Sequence, residues 1–196
     1  MSSFLRLIGA AIVVLLVAGC GTPQPEFKNT DVTGSDCCRD FRLTDDHGRT
    51  RTLEDFRGKV VVVFFGYTQC PDVCPTTLAE LKAAMQDLGP DARRVQVLFI
   101  TLDPERDTRE LLANYVAAFD PSFLGLYGDA ETTAKTAKEF RVFYQKQPGP
   151  TPTSYTLDHT AGSYVFDPQG RVRLFVRHGD GGVNLVADLR TLLKQG

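Results

Sequence analysis

The chain has no block of basic residues, no internal repeat and no low-complexity tract, and only three of its 196 residues are histidines. A formal net charge of −2 with no basic cluster leaves nothing to neutralise a phosphate backbone, which excludes nucleic acid as a partner. The lack of repeats removes repeat architectures, and three histidines restrict imidazole chemistry to His47, His159 and His178. A long hydrophobic run is also missing. The longest apolar stretch, Leu7–Ala18, is interrupted by Gly9, is too short to span a bilayer comfortably, and reads as the core of an export signal behind Arg6.

Leu16-Val17-Ala18-Gly19-Cys20 resembles the lipobox of bacterial lipoproteins, in which cleavage leaves the cysteine as a lipid-bearing N-terminus. That resemblance implies a signal peptide over residues 1–19 and a lipidated N-terminus and linker over 20–26. A domain covers 27–196, long enough to bury a substantial core. Lipid on Cys20 would tether the chain to a membrane, with the domain facing the periplasm. Of five cysteines, Cys37, Cys38, Cys70 and Cys74 then remain in a compartment where thiols oxidise unless they are kept reduced or metal-bound.

Thr22–Gly34, with two prolines, reads as a linker leading into a first extended segment. Phe41-Arg42-Leu43 and Arg49–Leu53 around Asp45-Asp46-His47-Gly48 predict an N-terminal hairpin. Lys59–Phe65 and Val95–Leu102 predict strands buried on both faces. Pro75 suits a helix's first turn, and Leu78, Leu81, Met85 and Leu88 recur at helical spacing until Gly89-Pro90. Asp107 with Glu110 predicts a capping box for a helix whose stripe is Leu111, Leu112, Tyr115, Val116 and Phe119. A shorter helix over Asp129–Glu139 follows, then a strand over Arg141–Gln145 and a loop over residues 148–152. A hairpin of Ser163–Phe166 and Arg171–Val176 and a helix near Asn184–Lys194 close the chain. This order predicts an α/β fold with a central mixed sheet flanked by helices. A cysteine pair between the first long strand and its helix is where thioredoxin-like folds keep their thiols.

Cys70 and Cys74 are separated by Pro71, Asp72 and Val73, one residue more than in thioredoxin-type oxidoreductases. A thiol at a helix N-terminus is favoured as thiolate, which is both a nucleophile and a metal ligand. The spacing leaves disulfide closure and metal binding both open. A metal needs a further ligand. His47 lies in turn chemistry and His178 in a polar loop, whereas His159 precedes a predicted core strand and follows Asp158.

Phe64-Phe65-Gly66-Tyr67-Thr68-Gln69-Cys70-Pro71-Asp72-Val73-Cys74-Pro75, with Thr101-Leu102-Asp103-Pro104-Glu105-Arg106-Asp107 and Asp158-His159-Thr160, resembles the SCO/SenC family of copper-binding proteins from about Phe27 onward. The resemblance implies a thioredoxin-like domain holding one copper ion, as Cu(I) or Cu(II), through Cys70, Cys74 and His159. It implies a part in assembling the dinuclear copper centre in subunit II of cytochrome c oxidase. It also leaves room for another periplasmic copper carrier or a thiol–disulfide reductant as a partner. Soft thiolates select Cu(I), and an added imidazole also tolerates Cu(II). Asp158 is a candidate to orient the histidine ring and Asp72 to influence the thiols. Alternative functions for the same pair are reduction of the oxidase's cysteines before metallation, or copper or redox sensing. Cys37-Cys38 departs from the family's pattern. Adjacent cysteines make a strained disulfide, so the expectation is free thiols, extra soft ligands, or half of a link to another protein.

Overall fold

A computed structural model describes residues 26–151, 154–180 and 182–195; the signal segment and Cys20 lie outside the described residues. Two parallel strands form its centre, β4 (Val60–Gly66) beside β5 (Val95–Thr101), and all seven residues of each are buried. Strands with valine and phenylalanine on both faces need cover on both faces, and helices supply it. The full sheet has eight strands in the order β1-β10-β9-β4-β5-β6-β2-β3. Its remaining members are β1 (Thr30–Asp31), β2 (Leu43–Asp45), β3 (Thr50–Arg51), β6 (Leu124–Tyr127), β9 (Gly162–Phe166) and β10 (Val172–Arg177). Strands β4, β5 and β6 run parallel, and β9 returns antiparallel against β4. The sheet is mixed and the fold thioredoxin-like, as the order of elements predicts.

Four α-helices flank it: α1 (Val73–Leu88), α2 (Arg109–Phe119), α3 (Ala130–Glu139) and α4 (Val183–Leu193). None of the described helices is long and apolar enough to cross a membrane. Pairing makes the two faces of the sheet distinct. Val63 of β4 stands opposite Tyr164 of β9, and directly opposed residues share a face. Phe65, two residues on, shares that face as well. Phe65 and Tyr164 both pack on Phe140 at the end of α3, with ring centroids 5.1 Å and 5.8 Å apart. Phe64 and Gly66 point the other way. There Phe64 meets Phe99, and Phe99 meets Tyr115 of α2.

Four local expectations differ from the structure. The N-terminal hairpin forms around Gly48, at φ +84°, but its second strand is only Thr50–Arg51, because Leu53–Phe56 winds into a 3-10 helix that buries Leu53 and Phe56. Asp107 does not cap α2. Thr108 does so, its hydroxyl accepting from the Leu111 amide at 3.2 Å, while the Asp107 carboxylate turns inward to Thr68 and Thr101. Leu111, expected in the apolar stripe of α2, is 39% exposed; Leu112 and Val116 carry the burial. The strand expected over Arg141–Gln145 runs instead over Tyr144–Pro148 (β7). It pairs with a strand the periodicity did not announce, Tyr155–His159 (β8), in a separate two-stranded sheet. Its strands are short, and Leu157 alone among their ten residues is buried, so they carry little of the apolar signal that marks a strand in sequence.

Candidate metal centre

Strand β4 ends at Gly66 and the chain turns at once, the Cys70 amide donating to the Tyr67 carbonyl at 3.2 Å. Helix α1 begins at Val73, so Cys74 lies inside its first turn and is fully buried, whereas Cys70 stays half-exposed in the loop. Gly66 makes this approach possible. A Cβ there would sit 2.7 Å from the Cys74 sulfur and 2.9 Å from Phe99 Cε2, closer than real side chains come. Only glycine lets the strand end lie against the sulfur.

The two thiols divide their roles. Cys70 is held far below its ordinary value, to about 3, first by the Cys74 thiol, which donates to it, and then by His159 and the amides of Asp72 and Cys74; burial opposes the shift. The Cys74 amide lies 3.4 Å from the Cys70 sulfur. Cys74 is pushed above its ordinary range, because its thiol donates a hydrogen bond to Cys70 and because it is buried. The apo pair is therefore one thiolate and one thiol. Since a depressed pKa leaves Cys70 ionised at every pH above it, alkylation of the apo protein should fall on Cys70 and hardly change in rate between about pH 5 and 8. Peptide mapping after timed iodoacetamide pulses checks this, and a rate that rises tenfold per pH unit across that range would contradict it.

His159 closes the group from β8. Its Nε2 lies 3.5 Å from the Cys74 sulfur, and its Nδ1 lies 3.1 Å from the Thr160 carbonyl. A carbonyl oxygen only accepts, so Nδ1 carries a proton and Nε2 faces the sulfurs. The rings of Tyr67 and Phe64 stand against the imidazole, with centroids 6.1 Å and 6.3 Å away. The ligand atoms of Cys70, Cys74 and His159 all lie within 4.8 Å of one another. Cys70 and His159 border a cavity of about 370 Å³ whose walls include Tyr67, Pro71, Leu157 and Ala161, and Cys74 lies buried beneath them.

Asp158 and Asp72 line the same cavity, but their carboxylates do not meet the ligands. Alternation along β8 puts Leu157 and His159 on one side and Asp158 on the other, where it accepts from Gln147 Nε2 at 2.7 Å. The group that orients the ring is the Thr160 carbonyl. Asp72 is exposed at the N-cap of α1, and it reaches Cys70 through its backbone amide. His47 is an exposed turn residue 3.7 Å from the Asp46 carboxylate, and His178 contacts the Thr77 hydroxyl at 3.0 Å; neither joins the site. Cys37 and Cys38 lie on the opposite face of the sheet, where the Cys38 amide donates to the Glu139 carbonyl beside Phe140. They add no ligand to this centre.

A clamp built on residues 101–107 and Tyr155 holds the β7–β8 hairpin, and so His159, against the thiol loop. Arg106 pairs with Asp103, donates to the Tyr155 carbonyl at 2.9 Å and to Gln69 Oε1 at 3.2 Å, and stacks on the Tyr155 ring at 3.5 Å. The Tyr155 hydroxyl donates to Asp103 at 2.7 Å; with burial, this pushes its pKa up to about 12. The Tyr67 hydroxyl accepts from the Leu157 amide at 3.2 Å. Asp107, buried behind the loop, accepts from the Thr68 hydroxyl and the Thr101 hydroxyl, both at 2.6 Å. The available signal was two carboxylates, Asp103 and Asp107, soon after a strand buried on both faces, where acids are buried only when bonded.

A thioredoxin-like sheet that carries two sulfurs and an imidazole around one open cavity defines a dithiol protein with a three-ligand site for a soft metal ion. The sequence model of the SCO1/SenC family matches residues 29–194, and the chain belongs to that family. It is 44% identical over 133 residues to the mitochondrial SCO2 homolog of Bos taurus, covering 67% of this chain and 50% of that protein. It is 38% identical over 135 residues to the mitochondrial SCO1 homolog of Homo sapiens, covering 66% and 44%. The chain thus spans about half the length of the curated relatives it matches. Among solved structures, Bradyrhizobium japonicum ScoI with copper bound is similar at 40% identity and a TM-score of 0.74, over 81% of this chain and all of that one. Apo Sco1 from Thermus thermophilus is similar at 43% identity and a TM-score of 0.76, over 88% of this chain and all of that one.

Proposed function

We propose that this chain is a periplasm-facing copper carrier, tethered through lipid on Cys20. It takes up one copper ion through Cys70, Cys74 and His159 and passes it to the dinuclear copper centre in subunit II of cytochrome c oxidase. One observation carries the reading: three soft or borderline ligand atoms converge on an open cavity, with one sulfur already a thiolate. Two thiolates suit Cu(I), the imidazole accommodates Cu(II), and a site with three protein ligands is not the closed four-ligand cage of structural zinc. Metal uptake would release the Cys74 proton. A half-exposed Cys70 at the cavity mouth suits transfer by ligand exchange, in which an incoming thiolate replaces one ligand at a time. Copper bound in the ScoI structure, 40% identical to this chain, supports the cargo, and the family's part in cytochrome c oxidase assembly supports the recipient.

The same electrostatics weigh against a primary role as a thiol reductant. A dithiol whose thiolate is strongly stabilised favours its reduced form, as in the most oxidising members of the thioredoxin class, and so donates electrons poorly. The test is complementation of an oxidase-deficient deletion strain by the full chain and by His159→Ala, with oxidase activity and subunit II copper as readouts. His159→Ala should bind copper with an altered sulfur-to-copper charge-transfer band and fail to restore the oxidase, while its dithiol still oxidises. Full restoration by that variant would move the function to thiol exchange.

A further inference from the structure

Cys37 and Cys38 remain unused by the copper centre, and the structure places them in an unusual setting. Their sulfurs face each other 2.7 Å apart, and both residues are buried, at 8% and 1% exposure. Cys38 adopts φ +61°, in the left-handed region; the only other non-glycine residue there, among those described, is Arg141 at +53°. Two contacts join the segments that carry them. The Cys38 amide donates to the Glu139 carbonyl at 3.0 Å, and Asp36 forms an ion pair with Arg141. Left-handed backbone at a non-glycine residue persists only where the surroundings enforce it, and here it accompanies two adjacent sulfurs turned together. Beside them opens a cleft of about 440 Å³ bordered by Thr33, Ser35, Cys37, Arg39 and Arg171. Both cysteines border the cleft, and Cys37 is the less deeply buried of the two. Because the pair occupies the face of the sheet opposite Cys74, it cannot exchange with Cys70 or Cys74 within one molecule, and its redox partner must come from outside.

We propose that Cys37 and Cys38 form a second redox centre, independent of the copper site, that closes into a vicinal disulfide by exchange with an external disulfide and reopens with an external thiol. In the closing direction, Cys37 loses its proton and its sulfur attacks one sulfur of R–S–S–R. That S–S bond breaks, and the first R–S⁻ leaves and takes up a proton. The Cys38 sulfur, on losing its proton, attacks Cys37 in the mixed disulfide and expels the second R–S⁻, which is protonated in turn. Two protein thiols are oxidised and one external disulfide is reduced to two thiols. Cys37 begins the exchange because it keeps the greater exposure at the cleft, and the more deeply buried Cys38 resolves it. Adjacent positions force a small strained ring, so the bond belongs with labile, readily reopened disulfides and not with structural ones.

The test uses the copper-free full chain equilibrated with glutathione at graded ratios of disulfide to thiol, quenched in acid, alkylated and digested with trypsin. Cleavage after Lys28 and Arg39 yields a peptide over residues 29–39 whose only cysteines are Cys37 and Cys38. The expected result is conversion of that peptide from doubly alkylated to unalkylated and two hydrogens lighter, reversed by excess reduced glutathione. Cys38→Ser should stop at a stable glutathione adduct on Cys37. Cys37→Ser should form an adduct on Cys38 at least about tenfold more slowly, as burial of that sulfur requires. Double alkylation at every ratio, glutathione adducts that persist in the unmodified chain, or a crosslink to the Cys70 peptide would each overturn the proposal.

Discussion

Cys74→Ser is expected to lower Cu(I) affinity by more than about 100-fold, the upper range for losing even an outer partner of a metal ligand. Two effects act together through one atom. The serine hydroxyl is hard and stays protonated, so it replaces a soft ligand with a poor one. Loss of the Cys74 thiol also removes the first cause of Cys70's low pKa, so Cys70 moves back toward its ordinary 9.0 and binds metal in competition with a proton. Serine is close in shape to cysteine, so the fold should survive, and thermal melts would confirm that binding alone has changed. Competition against a chromophoric Cu(I) chelator measures the effect. Unchanged affinity would remove Cys74 from the centre and direct attention to Cys37 and Cys38.

Arg106→Ala carries the second large effect, and it acts first on the fold. Asp103 is 1% exposed and relies on Arg106 and the Tyr155 hydroxyl for its bonds. Removing one partner of a buried ion pair leaves an uncompensated charge and costs 3–5 kcal/mol; because the Arg106 side chain is 19% exposed, about 3 kcal/mol is expected. The same change removes the stacking on Tyr155 and the bond to its carbonyl, so the β7–β8 hairpin loosens and His159 is held less well. Copper affinity should therefore fall by roughly 10-fold, as for other positioning partners of metal ligands. Chemical denaturation measures the first effect and chelator competition the second. Arg106→Lys, which restores charge without the planar fork, should recover part of the stability and little of the affinity. Full stability in Arg106→Ala would show that Asp103 is satisfied without it.

The helices, the two central strands and the β9–β10 hairpin were legible because each is written in a local period. Valines and phenylalanines on successive residues mark β4 and β5, and leucines at helical spacing mark α1. Strand β8 was not legible, since its five residues bury only Leu157 and are too short and polar a run to stand out, and its placement depends on Tyr67 and Arg106 from elsewhere in the chain. The capping expectation at Asp107 failed for a related reason. A carboxylate three residues before Glu110 has the right spacing for a cap, but two hydroxyls inside the fold claim it first.

The thiol pair, its place between a buried strand and a helix, and its family can be read from the chain alone, because strand, turn and helix N-terminus are adjacent in it and their chemistry is local. The rest arises on folding. Folding brought His159 to Cys74 across 85 residues, gave the orienting role to the Thr160 carbonyl instead of Asp158, and divided the thiols into a thiolate and a donor. It also separated Cys37-Cys38 from the metal centre. The physical reason is that the β8 hairpin, the thiol loop and the Cys37-Cys38 loop are held by contacts far apart in sequence, and the face on which each lies is settled only when the strands beside it find their register in the sheet.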